Sequence, residues 1–363
     1  MTHFTSIIDL TDINEEWDRY VIESEMGNFF QTSLWAKAKK SQEWKALRVI
    51  LKNPDGAICG GGQVFYKKLF GLLYLIQLQK GPIYDPNDQA SAIEILEEIK
   101  HHFRKFPFVF VAQPENSCWD LRKELLKNGY GTSFGIDLEE SSTIIIDVSG
   151  NQEEILKQIK PRKRNLFRKT ENLGLTFIES TDRQELDTFY LLHKRIADHR
   201  EFDIQNRGFF DIVWDQFMPL GWMHLFMEKY EGQTICSMVV FTFRDTLHIY
   251  RIGWKDGFNT LYPNEGMYWF LLKWAHEHNY HWVDFGGIDK EVADAVLNRT
   301  AVPEWAGHTY NGFKLHISEN IVSYPGTVEY FHPQLFSSII QLLVNHPALN
   351  RLLKNIYRLF RHG

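Results

Sequence analysis

The second half of this 363-residue chain repeats the plan of the first, and a repeat of that size constrains the architecture more than any single element does. In the first half, residues 47–51 and 58–66 read as strands around the turn Asn53-Pro54-Asp55-Gly56. Residues 72–78 form a further apolar strand, residues 90–103 have helical spacing, and residues 108–112 read as the next strand. In the second half, residues 225–228 and 235–243 flank Tyr230-Glu231-Gly232-Gln233, followed by a strand at 246–252, a helix at 267–278 and a strand at 282–285. Ile58-Cys59 and Ile235-Cys236 each follow an acid–glycine turn. Order and length correspond, so the sequence predicts an α/β (α+β) chain of two tandem domains, residues 1–150 and 151–325, followed by a helical tail at 326–363. Tandem domains meeting at a cleft place substrates between them.

Composition narrows the class. Hydrophobic content of 44% and charged content of 24% are those of a soluble globular protein. Cys59, Cys118 and Cys236 are far apart and three in number, which implies no disulfide framework and fits a reducing compartment. No basic leader with an apolar stretch opens the sequence, and no apolar run approaches the ~18 residues of a spanning helix. A cytoplasmic location is expected. A net charge of −6 argues against a general nucleic-acid coat, yet the charge is uneven. Between Lys157 and Lys169 there are seven basic residues (Lys157, Lys160, Arg162, Lys163, Arg164, Arg168 and Lys169) and no acid. Such density is a phosphate-binding footprint, or else a solvated linker helix. The tail has no Asp or Glu after Glu329. From Leu349 onward, Leu352, Leu353, Ile356 and Phe360 share one helical face while Arg351, Lys354, Arg358 and Arg361 lie mostly on the other. This pattern fits an interfacial helix on anionic lipid, and equally a helix packed on its own domain.

The stretch from His281 to Ile317 draws the most attention. Trp282-Val283-Asp284-Phe285 reads as a buried strand, and Gly286-Gly287 allows a sharp turn or close approach to a ligand. Asn311-Gly312 reads as a turn, and Phe313, Leu315 and Ile317 alternate with Lys314 and His316 as in a strand. Lys314 then carries a fixed charge either toward the opening at the glycines or into solvent. In the first half, Thr32 or Ser33 caps a helix with Leu34, Trp35 and Ala38 inward. Lys37 and Lys40 fall on its free side, and Lys39 sits at the edge of its apolar face.

Several chemistries are missing. No GxxxxGK[ST], GxGxxG or GxSxG occurs, and His276-Glu277-His278-Asn279-Tyr280-His281 lacks the spacing that sets two metal ligands on one helical face. No metal site is expected. The order hairpin, strand, helix, strand resembles the acetyltransferase (GNAT-like) fold. CoA-using members open the helix with [RQ]xxGx[GA], whose amides hold pyrophosphate. Here the matching places are Tyr262-Pro263-Asn264-Glu265-Gly266-Met267, with one glycine and an acid, and Asp88-Gln89-Ala90-Ser91, with none. No CoA cofactor is expected.

A duplicated GNAT-like unit with degenerate CoA loops resembles the Fem family of aminoacyl-tRNA-dependent transferases. The residues that carry the resemblance are Gln31-Thr32-Ser33-Leu34-Trp35-Ala36-Lys37-Ala38-Lys39, Lys80-Gly81-Pro82-Ile83, the basic run, Val283-Asp284-Phe285-Gly286-Gly287-Ile288 and Gly312-Phe313-Lys314. The coiled-coil arm of some members is absent, so the chain looks like the compact type. The tail after Pro325 departs from the smallest members.

The resemblance implies two tandem GNAT-like domains and transfer of an amino acid from aminoacyl-tRNA to an amine of a nucleotide- or lipid-linked peptidoglycan precursor, with no DNA partner. It implies substrate binding by Lys39 and Arg207 at a diphosphate, with Lys37 as substitute for Lys39. Phe210, Tyr250 and Trp35 fall in or near the acceptor site. Lys314 is the implied catalytic residue near the tRNA ester, with Phe313 beside it. Lys160, Arg162, Lys163, Arg164, Arg168 and Lys169 are the implied tRNA contacts, and the tail a peripheral contact at the inner membrane face. A CoA-dependent N-acyltransferase and a non-catalytic binding protein of the same fold are the alternatives.

Overall fold

A computed structural model describes residues 4–69, 71–132, 138–200 and 203–334. The chain divides into two compact units, one formed by residues 1–141 with those from 324 onward, the other by residues 142–323.

The first unit runs β1 (Thr5–Asp9), α1 (Glu15–Glu23), α2 (Ser33–Lys40), β2 (Lys45–Lys52), β3 (Ile58–Leu69), β4 (Leu73–Leu78), β5 (Ile83–Tyr84), α3 (Gln89–Phe103), β6 (Phe108–Ala112), α4 (Trp119–Lys127) and β7 (Gly131–Thr132). The second runs β8 (Ser142–Asp147), α5 (Gln152–Lys157), α6 (Pro161–Thr170), β9 (Thr176–Ser180), α7 (Glu185–Arg200), α8 (Arg207–Phe217), β10 (Met223–Tyr230), β11 (Gln233–Phe243), β12 (Thr246–Trp254), α9 (Pro263–Glu277), β13 (Trp282–Gly287), α10 (Lys290–Leu297), α11 (Tyr310–Ile317) and β14 (Ile321–Ser323). The chain then returns to the first unit as β15 (Val328–His332).

The two sheets have one topology. The first has the order β1-β2-β3-β4-β6-β15-β7, with β5 paired to β3, and the second the order β9-β10-β11-β12-β13-β8-β14. In each, four antiparallel strands are followed by a parallel pair, β4 with β6 and β12 with β13. Each crossover is a helix with an apolar stripe. On α3 it is Ala92, Ile95, Leu96 and Ile99, all buried at i, i+3, i+4 and i+7. On α9, Met267, Leu271 and Ala275 pack against Leu247, Ile249, Val283 and Phe285 in the core of the second unit.

The expected boundaries shift for one reason. The sixth place in each sheet is filled by a strand distant in the chain. Ser142–Asp147, expected to close the first domain, pairs with β13 and β14 of the second unit. Val328–His332, expected within a helical tail, pairs with β6 and β7. The amphipathic stretch from Leu349 lies outside the described residues.

A larger correction concerns residues 310–317. The alternating pattern suggested a strand, but the segment is helix α11, capped by the Thr309 hydroxyl, which accepts from the Asn311 amide at 3.2 Å. Gly312 does not make a turn. A Cβ there would meet the Gly307 and Ala306 carbonyl oxygens at 2.5 and 2.8 Å, so glycine lets α11 press against the short 3-10 turn Glu304–His308. Among the described residues, no helix is long and apolar enough to cross a membrane.

Candidate functional site

In the first unit β4 and β6 pair over five positions, Tyr74–Leu78 against Phe108–Ala112. In the second, β12 and β13 pair over three, Thr246–His248 against Trp282–Asp284, and then part. Two irregularities surround this opening. Tyr250 is an extra residue on β12, between Ile249 opposite Val240 and Arg251 opposite Val239. On β13 the register to β8 slips between Asp284 and Gly287, where Gly286 has φ +76. A residue with a Cβ pays for that conformation. Bulges of this kind re-aim side chains at functional sites.

Lys314 reaches the same place from α11. Its Nζ donates to the Gly287 carbonyl oxygen at 2.6 Å, lies 5.2 Å from the Tyr310 ring centre, and would stand 3.5 Å from a Cβ on Gly286. The helix that carries it is clamped. Asn311 Nδ2 donates to Asp289 Oδ2 at 2.7 Å, the Asp289 amide donates to Asn311 Oδ1 at 2.9 Å, and the Tyr310 hydroxyl donates to Asp289 Oδ1 at 2.8 Å. Phe313 packs on Tyr268 at 5.4 Å between ring centres.

Behind the opening is a polar group that sequence reading passed over. His248 Nδ1 lies 3.3 Å from Asp284 Oδ2. The Gly286 amide donates to Asp284 Oδ1 at 2.8 Å, and the Thr143 hydroxyl bonds the same carboxylate and lies 2.9 Å from the Gly286 carbonyl oxygen. Burial pushes the Asp284 carboxyl up, but His248, Thr143 and the Gly286 amide outweigh it and hold it below the usual range. His248 faces Phe241, on the side of the sheet opposite α9. The signal available in the sequence was the acid just before two glycines.

The place where a CoA-type loop would present amides is hostile to anions. Glu265, in the first turn of α9, is ion-paired with Lys163. Nearby Glu228 is fully buried and neither oxygen has a hydrogen-bond partner among the described residues, with Oε1 3.3 Å from where a Gly266 Cβ would stand. Burial and the adjacent Glu265 push its carboxyl up to about 9. Among the described residues, no group of three His, Cys, Asp or Glu side chains is arranged to hold a metal ion.

The other expected site residues fall into several environments. Lys163 is not a surface cation, because it is buried between Glu265 and the Phe313 ring. Lys160 pairs with Glu319, Arg164 Nη2 donates to the Ile159 carbonyl oxygen at 2.9 Å, and Lys169 lies 4.7 Å from the Tyr262 ring centre. Arg162, Arg168 and Lys169 are exposed on α6. Arg207 is ion-paired with Asp187 at 2.8 Å and Asp211 at 2.7 Å. Phe210 does not line a surface. It is fully buried, edge-on to Phe189 and Phe209. Tyr250 accepts from Gln205 Nε2 at 3.0 Å and stacks under the Arg251 guanidinium at 4.2 Å.

In the first unit Thr32 caps α2, accepting from the Trp35 amide at 3.2 Å. Trp35 is a core residue whose Nε1 lies 3.4 Å from Gln79 Oε1. Gln31 Nε2 donates to the Gln79 carbonyl oxygen at 2.7 Å, which ties the first of the segments that suggested the family to the residue just before the second, Lys80-Gly81-Pro82-Ile83. Lys39 is buried with its Nζ 5.3 Å from the Trp44 ring centre and 5.9 Å from that of Phe65. Lys37 is partly buried, and Lys40 pairs with Asp12 and so does not stand free.

Two units of one topology, the second with parted central strands, define the tandem GNAT-like class. Residues 156–292 match the family model described as acetyltransferase (GNAT) domain, and residues 13–125 match that of the FemAB family. The chain is thus similar to the FemAB family over part of its first unit and to GNAT domains over most of its second. It is 26% identical over 233 residues to the lipid II:glycine glycyltransferase of Staphylococcus haemolyticus, a match covering 61% of this chain and 55% of that one. It thus spans about half the length of the curated relatives it matches. The crystal structure of FemX superposes with a TM-score of 0.76 at 18% identity, covering 93% of this chain and 99% of that one. A tandem GNAT protein from the clavulanic acid biosynthesis pathway gives 0.54 at 9% identity, covering 91% and 98%.

Proposed function

We propose that this chain is an aminoacyltransferase that moves an amino acid from aminoacyl-tRNA to an amine of a peptidoglycan precursor at the cytoplasmic face of the membrane. The observation that carries this reading is the Lys314 ammonium, clamped through α11 at the point where β12 and β13 part. An aminoacyl ester is already activated. Attack by an amine therefore needs positioning and a fixed charge for the developing oxyanion, and a preorganised ammonium provides that charge.

The match to the FemAB family model and the glycyltransferase name of the relatives support an amino acid as the group transferred. The carboxyls of Glu265 and Glu228 at the start of α9 weigh against a CoA pyrophosphate. Arg162, Arg168 and Lys169 are the cations of α6 available to a tRNA backbone, and Lys39 is the candidate contact for the diphosphate of the acceptor. Arg207, already paired with two carboxylates, is the weaker candidate.

The test is incubation with a mixture of charged tRNAs and lipid-linked precursor, followed by mass analysis of the precursor. The expected result is a gain equal to one or more amino acid residues. No mass gain, together with thermal protection by acetyl-CoA, overturns the proposal. Vesicle co-sedimentation that survives deletion of residues 346–363 removes the tail from it.

A further inference from the structure

We propose that His248, oriented by Asp284, accepts the proton released by the attacking amine. The inference rests on the transfer reading above and assigns it a residue that the family resemblance does not name. His248 occupies the last position at which β12 and β13 still pair, directly opposite Asp284. About a third of its side chain is exposed (32%), against 17% for Asp284. An imidazole whose Nδ1 is bonded to a carboxylate carries its proton there, which leaves Nε2 as the basic nitrogen. The carboxylate is itself fixed by the Gly286 amide and the Thr143 hydroxyl. This is the base-and-orienter arrangement of a proton-transfer site, placed beside the glycines that Lys314 touches.

The sheet separates the two tasks. Lys314 comes from α11, whose Leu315 and Ile317 lie in the core on the α9 side. His248 lies on the other face with Phe241, which packs on Phe217 of α8. The amine attacks as the neutral base, and the new C–N bond leaves its nitrogen positively charged. One N–H proton passes to His248 Nε2. The ester C–O bond then breaks, and the departing ribose oxygen takes the proton from the imidazolium. The amide is formed, the tRNA leaves with a free hydroxyl, and His248 is neutral again.

The experiment compares the intact protein with His248→Asn and His248→Ala in the charged-tRNA assay. Asparagine retains a donor toward Asp284 but has no basic nitrogen. General-base catalysis contributes about 10²–10⁴-fold, so His248→Asn is expected to lower kcat by at least about 10²-fold, with KM for charged tRNA within about twofold. Added imidazole is expected to restore part of the rate of His248→Ala. Asp284→Asn is expected to slow the intact protein but to add no further loss to His248→Ala, since Asp284 acts through the histidine. A His248→Asn variant within about threefold of the intact protein overturns this inference and leaves the transfer reading standing. If the intact protein forms no product with any charged tRNA, both fall.

Discussion

The Lys163 ammonium rests 4.5 Å from the centre of the Phe313 ring, the residue next to Lys314. The same ammonium is the ion partner of Glu265. One side chain of the basic helix α6 is therefore taken up inside the fold, joining α6 to α9 and α11.

Removing that cation leaves a carboxylate buried beside Glu228. Lys163→Met is expected to destabilise the protein by about 3 kcal/mol, the size associated with orphaning one partner of a buried pair. Arg162→Ala and Arg168→Ala, on the exposed side, are expected to change stability by no more than about 0.5 kcal/mol. Urea unfolding distinguishes the two outcomes.

Binding of RNA gives the opposite ranking. Neutralising one phosphate fewer reduces the slope of log K against log salt by about 0.9. Arg162→Gln, Arg168→Gln and Lys169→Gln together are expected to lower the tRNA slope by about 2 to 3. Filter binding between low and moderate salt measures it, and an unchanged slope removes α6 from the tRNA path.

Lys314→Met is expected to lower turnover about 10²–10³-fold, the effect typical of deleting one oxyanion donor. Its cost in stability is about 1 kcal/mol, from the missing hydrogen bond to Gly287. Gly286→Ala perturbs the same site through the backbone. It forces an alanine into a left-handed conformation, with its Cβ 3.3 Å from the Ile249 carbonyl oxygen, for about 1–2 kcal/mol. Melting curves and single-turnover rates for both variants separate charge from scaffold.

Glu228 makes stability depend on pH. Its carboxyl stays protonated in the folded chain up to about 9, whereas its ordinary value is 4.5. The unfolded chain releases that proton first. The contribution is complete below about pH 4.5 and is lost as pH rises toward 9, at no more than about 1.4 kcal/mol per pH unit. Glu228→Gln is expected to flatten that slope. Unfolding midpoints from pH 5 to 9 that run parallel for the two proteins would refute it.

Much of this fold was legible in the chain. The doubled order of elements pointed to two GNAT-like units, because each repeats the same turn chemistry and apolar periods. The start of α2 was legible because Thr32 is a good cap in front of an apolar stripe. Residues 310–317 were not, since an eight-residue segment with apolar residues at every second place fits either period, and Gly312 serves a close approach that no local signal records. The pairing of Lys163 with Glu265, and of His248 with Asp284, joins residues far apart in sequence. A run of basic residues says nothing about which of them turns inward.

The return of β15 to the first sheet has a consequence for synthesis. When residue 141 has been made, β6 still has its outer rim bare, and the strand that will cover it lies some 190 residues downstream. At ordinary translation rates that is a wait of about 10–40 s. During it the nascent first unit carries an adhesive margin that only β15 can close.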